Sequence, residues 1–164
     1  MGIKKFFLTL FISLTLIAPC LSDEVYFSPN GGVATHIIEA INNADKTIDL
    51  AIFDFTSNEI KDALLEAKER GIKIRIIAEK RQSRGLRSII PILVKEGFDI
   101  KIMRGKGGGI MHNKFAIIDG SLLITGSYNW TNNAEKFNYE NTVFLSSLEI
   151  IGQYQKEFEV MEGE

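Results

Sequence analysis

Cysteine is nearly absent from the chain: Cys20 stands alone, and with two histidines, His36 and His112, it leaves neither an internal disulfide nor the ligands of a structural zinc site. Charge of one sign is scarce too. Nineteen Lys and Arg face 21 Asp and Glu in 164 residues, a net of −2 that by itself selects neither a polyanion binder nor its opposite. Hydrophobic residues make up 45% and charged residues 24%, which excludes a disordered chain, a collagen and a multi-span membrane protein. What remains has room for one domain with a real core.

The first 22 residues have the layout of a secretory signal. Lys4 and Lys5 precede an apolar run from Phe6 to Ala18, Pro19 breaks it, and Cys20-Leu21-Ser22 supplies small residues near a cleavage point. The run is too short to span a bilayer and meets acidic Asp23-Glu24 at once, so a retained anchor is the weaker reading. Lipid attachment at Cys20 is weaker still, because Pro19 stands where a small residue belongs. Removal before Asp23 predicts an exported chain, periplasmic or secreted, without cysteine and without stable membrane association.

Charge is unevenly spread over residues 23 to 164, which carry 17 basic and 21 acidic residues. Between Arg70 and Lys114 there are 12 basic residues against Glu79, Glu96 and Asp99, a local net of +9, while the remainder carries −13. The split suggests one basic face for a polyanion on an acidic body, with solvated strand and helix edges as the bland alternative.

The hydrophobic pattern is α/β. Val25–Phe27 is a short strand, and Val33–Ala44 places Ile37, Ile38 and Ile41 on one helical face. Lys46–Phe55 is an Ile- and Phe-rich strand, after which Thr56 and Glu59 match a capping box over a helix ended by Gly71. A strand over Ile72–Ala78, a helix over Leu86–Glu96 and a strand over Phe98–Met103 follow. Lys114–Ile118 and Leu122–Thr125 flank the turn dipeptide Asp119-Gly120, and Tyr139–Leu145 and Leu148–Met161 form a last strand and a closing helix. The alternation predicts a single α/β domain with a mixed, largely parallel sheet flanked by helices on both faces.

The chemistry is concentrated between His112 and Glu140. His112 and Lys114, two apart at a strand start, share a face on which an imidazole and an ammonium can meet one phosphate. After six intervening residues, Asp119 is followed by Gly126-Ser127-Tyr128-Asn129, where Ser127 and Asn129 offer a hydroxyl and an amide. Singly, each has a plainer explanation: Asp119 as a turn residue, His112 as a hydrogen-bonded strand histidine.

Together they form His-x-Lys-x4-Asp-x6-Gly-Ser-x-Asn, which resembles the signature of the phospholipase D superfamily. Over nearly its whole length from residue 23 the chain is similar to the small exported bacterial endonucleases of that superfamily, which carry one motif copy where the phospholipases carry two. The resemblance implies a metal-free phosphohistidine route. In it His112 is the nucleophile, Lys114 and Asn129 bind phosphate, Ser127 supports them, Asp119 is mainly structural and Glu140 pairs with the histidine.

Covalent cleavage of a phosphodiester needs a nucleophile, neutralisation of the equatorial oxygens and an acid for the leaving oxygen. A carboxylate such as Glu140 would hold the imidazole tautomer. The acid is then missing, since His36 sits on a predicted helix with no lysine two residues on. A homodimer with its two-fold axis through the site would supply a second His112. Metal catalysis fits poorly, because Asp49 and Asp54 face opposite sides of a strand and no carboxylate pair accompanies a histidine. Arg104–Gly109 lacks the Gly-Lys-Ser/Thr step of a phosphate loop and is instead a basic lip, with Arg104 and Lys106 as substrate contacts. Tyr128 and Trp130 could stack on a base, although at least one of them belongs in the core. The reading is a metal-independent, cofactor-free endonuclease on DNA or RNA, with a phospholipid hydrolase or a catalytically silent nucleic-acid-binding dimer as alternatives.

Overall fold

Seven strands rich in Ile, Phe and Leu pair into one sheet, and five helices cover its two faces. The computed structural model describes residues 23–164; the expected signal segment, residues 1–22, lies outside the described residues. In chain order the elements are β1 (Glu24–Ser28), α1 (Val33–Asn42), β2 (Thr47–Ile52), α2 (Asn58–Glu69), β3 (Lys73–Glu79), α3 (Ile90–Lys95), β4 (Asp99–Met103), β5 (Lys114–Ile118), β6 (Leu122–Gly126), α4 (Asn132–Lys136), β7 (Glu140–Leu145) and α5 (Leu148–Gly163). The strand order is β1-β7-β6-β5-β2-β3-β4.

The sheet is mixed, as expected, but its parallel share is smaller than the strand-helix alternation implies. Only β2-β3 and β3-β4 pair in parallel. The pairings β1-β7, β7-β6, β6-β5 and β5-β2 are antiparallel. The reason is that the hairpin of β5 and β6 docks directly on β2, and β7 inserts between β6 and β1 with the reverse direction. Helical crossovers force parallel neighbours only where they occur, between β2, β3 and β4.

Two apolar layers result. One face packs Ile37 and Ile41 of α1, Ile60 and Leu64 of α2 and Leu93 of α3 against Leu50, Ile76 and Ile124. The other packs Ile151, Phe158 and Met161 of α5 against Ala51, Ile77, Phe115 and Leu123. A partly buried polar cluster fastens that closing helix. Arg75 on β3 donates two bonds to Asp49 at 2.6 and 2.7 Å and reaches Glu159 and Glu162 on α5, with its guanidinium over the Phe158 ring. Its carboxylate partners hold its pKa well above the ordinary value.

Local sequence explains the element ends. Ser57, not Thr56, caps α2: its hydroxyl accepts from the Ile60 amide at 3.3 Å and donates to Glu59 at 2.9 Å. The amides of Thr56 and Ser57 both donate to Trp130 O, which takes this segment out of the sheet and ends β2 before Phe55. α3 is shorter than expected at its start. The residues after Glu79 turn back on it, Arg81 and Gln82 donating their amides to its carboxylate, and Pro91 sits in the first turn, where its missing N–H costs nothing.

The hairpin turn behaves as its dipeptide predicts. Asp119 and Gly120 both take positive φ, 53° and 63°, as a type I′ turn requires. The Asp119 carboxylate also accepts the amides of Asp45, Lys46 and Thr47 at 2.7–2.8 Å, tying the turn to the loop that leads into β2. Burial opposes its ionisation, but the three amide bonds outweigh that and hold its pKa below the usual carboxylate range. A depressed pKa means the contribution is present above the unfolded-state pKa and is lost as pH falls through the folded one. Asp119→Asn is therefore expected to lose roughly 1–3 kcal/mol at neutral pH in urea unfolding. The difference from wild type should shrink below pH 4.

Candidate active site

The antiparallel register assembles the site. Lys114 opposes Ile52 on one side, Phe115 opposes Thr125 on the other, and Gly126 opposes Thr142 on β7. The start of β5, the end of β6 and the start of β7 thus meet at one sheet edge, where the ends of β2, β3 and β4 also emerge. His112, Lys114, Ser127, Asn129 and Glu140 are brought together there. Asp119 is at the opposite end of β5, away from these side chains, where its carboxylate accepts three backbone amides.

Gly126 has a steric reason. A Cβ on it would lie 2.1 Å from Asn141 O, so only glycine lets β6 pass β7 this closely. The chain then turns so that Ser127 accepts the Asn141 amide at 3.1 Å and donates to Glu140. Tyr128 points the other way, into the core, and donates to Glu135 at 2.8 Å; Glu135 also accepts the Ala34 amide at the start of α1, which has no cap of its own. Burial and the neighbouring Glu135 push the phenol pKa far up, keeping it a donor. Trp130 is buried against Phe55. Both aromatics are therefore core residues, and the base-stacking role considered for one of them has no exposed ring to serve it. They hold the backbone that carries Asn129.

The exposed His112 has Lys114 beside it. The Lys114 ammonium lies 3.2 Å from His112 Nε2 and donates to His112 O at 2.8 Å. An ammonium can only donate, so Nε2 is the acceptor and the ring proton belongs on Nδ1. Beneath both lies Phe53, just past β2, its ring 4.5 Å edge-on to the imidazole and 5.1 Å from the ammonium. Phe53 is not singled out by the sequence, where it is one residue of the Ile- and Phe-rich strand over Lys46–Phe55. Burial pushes the His112 pKa down, and the Lys114 charge adds to this. Burial lowers Lys114 as well, with Glu140 pulling the other way. Both effects on His112 favour the neutral imidazole, whose Nε2 lone pair faces the Lys114 ammonium.

Glu140 departs from its expected contact. Its carboxylate accepts from Ser127 Oγ and from Asn138 Nδ2 rather than from His112. Asn138, outside the motif, is a second residue to which the sequence assigns no role. The basic face is also divided. Arg81, Arg84, Arg87 and Arg104 follow strand ends at the site edge. Arg70, Lys73 and Lys95 lie towards the far edge, and Arg75 is bound up in the α5 cluster. Lys106 is exposed but pairs with Glu164 at 2.6 Å, so the lip is tied to the end of α5 and Arg104 is its unpaired cation. His36 is remote on α1, stacked on Tyr26 at 3.7 Å and 3.4 Å from Glu39, a scaffold residue as expected. Among the described residues no three His, Cys, Asp or Glu side chains gather to hold a metal ion, and no helix is long and apolar enough to cross a membrane.

An imidazole, an adjacent ammonium, and a hydroxyl and an amide thus stand at one end of a mixed sheet, in the arrangement of the phospholipase D signature. Residues 37–161 match the family model described as cardiolipin synthase, PLD-like domain, and the chain belongs to this phospholipase D superfamily. It is 33% identical over 140 residues to a mitochondrial cardiolipin hydrolase of Chlamydomonas reinhardtii, covering 85% of this chain and 62% of that one. It is likewise 33% identical over 128 residues to a phospholipase D of Rickettsia conorii, covering 78% and 63%. The chain thus spans little more than three fifths of these two relatives. Among solved structures, the phospholipase D family member Nuc from Salmonella typhimurium superposes with TM-score 0.76 at 28% identity, covering 84% of this chain and 91% of that one. NucT from Helicobacter pylori superposes with TM-score 0.78 at 27% identity, covering 87% and 96%.

The Lys114 contact makes a testable statement about charge. In Lys114→Met, which removes the neighbouring ammonium, His112 should titrate at a higher pH than in wild type by NMR of the ring protons. An unchanged midpoint would mean that the ammonium is not felt.

Proposed function

We propose that the chain is an exported, metal-independent phosphodiesterase that cuts DNA or RNA as a homodimer through a phosphohistidine intermediate. The observation that carries this reading is the single imidazole held against the Lys114 ammonium, with no second histidine at the site. A bound phosphate would draw the ammonium to its oxygens and leave His112 Nε2 free to attack phosphorus. The P–N bond forms as the P–O bond to the leaving strand breaks, and the departing oxygen takes its proton from His112 of the partner subunit, which enters the step as imidazolium while the attacking ring is neutral. Water then attacks phosphorus, giving its proton to that same partner imidazole, and the P–N bond breaks to restore the nucleophile. Lys114, Asn129 and Ser127 hold the oxygens while the charge moves. Glu140, through Ser127 and Asn138, positions the clamp.

Two features support the dimer and the substrate. Phe137 and Tyr139, beside Glu140, are 73% and 93% exposed, and Phe27 on the neighbouring strand is 59% exposed, an apolar rim suited to a second copy. Arg81, Arg84, Arg87 and Arg104 around the same edge suit a chain of phosphates better than one headgroup. The names of the curated relatives favour phospholipid as a second reading, since the same clamp fits a lipid phosphate.

The decisive panel incubates purified residues 23–164 with supercoiled plasmid, single-stranded RNA and cardiolipin vesicles, each with and without EDTA. Nicking or RNA cleavage that survives EDTA is expected. Turnover confined to cardiolipin would reverse the substrate assignment, and loss on chelation with rescue by magnesium or zinc would reverse the metal-free one.

A further inference from the structure

Beside the phosphate clamp, and reaching beyond the residues Asn129 and Asn138 that it shares with the mechanism above, lies a cleft of about 790 Å³. It shares Asn129 with the site and runs between the turn before α3 and the loops around α4. Its lining meets the cationic rim only at Arg87 and is otherwise amide-rich. Five amide side chains, Asn58, Gln82, Asn132, Asn133 and Asn138, line it with one carboxylate, Asp54, and one guanidinium, Arg87. Such a near-neutral wall does not track phosphates. Amides that both donate and accept read the edge of a heteroaromatic ring, and the volume lies within the roughly 300–1,000 Å³ of small-molecule clefts.

Two further observations point to a ligand there. Asn129 Oδ1, at the junction of clamp and cleft, is buried with no hydrogen-bond partner. A buried acceptor left this way is costly unless something donates to it. Asp54 is half-buried and pairs with no cation among the described residues, and burial pushes its carboxyl above the usual range. Leu86, fully exposed, and Ile92 stand at the cleft wall as apolar surface for a ring face.

We propose that this cleft is a base-selecting subsite, in which the base next to the scissile phosphate is splayed out of its stack and guanine is preferred. The adjacent ring N–H and exocyclic amine of guanine match the Asp54 carboxylate, and its carbonyl oxygen matches an amide donor of the lining. Only a single-stranded or locally opened substrate can present that edge. The inference rests on the nuclease reading above and adds to it where along a strand the enzyme cuts.

The test maps cleavage positions by sequencing on randomised single-stranded DNA and RNA, for wild type, Asp54→Asn and Asn132→Ala. Hydrolysis of bis(p-nitrophenyl) phosphate, which has no base, is the control. Wild type should enrich guanine about fivefold to tenfold at one position beside the cut, the worth of one or two hydrogen bonds. Both variants should reduce this to about twofold or less while control hydrolysis stays at the wild-type rate. If Asp54→Asn fails to fold by circular dichroism, Asn132→Ala, on an exposed helix position, decides alone. Any other profile with cutting intact overturns the subsite and leaves the nuclease reading standing. Control hydrolysis without any cutting of nucleic acid overturns that reading and the subsite with it.

Discussion

The pairing of β5 between β2 and β6 is the constraint on which the rest of the molecule depends. Its register sets Lys114 opposite Ile52 and Phe115 opposite Thr125, so the two halves of the motif arrive at the same sheet edge although 11 residues lie between Lys114 and Gly126. A slip of one residue would turn Lys114 to the other face and bury it. The far end of the same strand is locked by Asp119, whose carboxylate takes three backbone amides. Asp119 thus fixes the register on which the placement of Lys114 at the other end of the strand depends.

Around this frame the site is built in two layers. Lys114, His112 and Phe53 form a charged unit resting on an aromatic ring, in which burial and the ammonium favour the neutral imidazole. Ser127, Glu140 and Asn138 form a second unit of hydrogen bonds at the end of β6 and the start of β7. Tyr128 and Glu135 hold the loop between them from the core side, with Glu135 also serving the start of α1. The loop that carries Asn129 is thus fixed by its own buried neighbours.

Much of this was legible in the sequence, for stated reasons. Strands showed because Ile, Leu and Phe cluster at short spacing, and the turn showed because Asp-Gly tolerates two positive φ values. What was not legible depends on contacts far apart along the chain. The parallel share of the sheet was overestimated because direction is set by which strand a hairpin docks on. Ser57 rather than Thr56 caps α2 because Trp130 O, more than 70 residues away, takes both amides. α4 is five residues long, too short to show a period, and the Lys106–Glu164 pair joins a loop to the last residue. Phe53 carries no sequence mark that sets it apart, because its contact with His112 and Lys114 is made only when β5 docks on β2.

The central claim is that one chain holds half of a catalytic pair. Activity should be measured in mixtures of wild-type and His112→Asn chains, allowed to exchange subunits at constant total concentration. A His112→Asn chain can neither attack phosphorus nor protonate the leaving oxygen, so a mixed dimer lacks one of the two functions. The account predicts that activity falls with the square of the wild-type fraction. A linear fall would show that each chain works alone, and would contradict it.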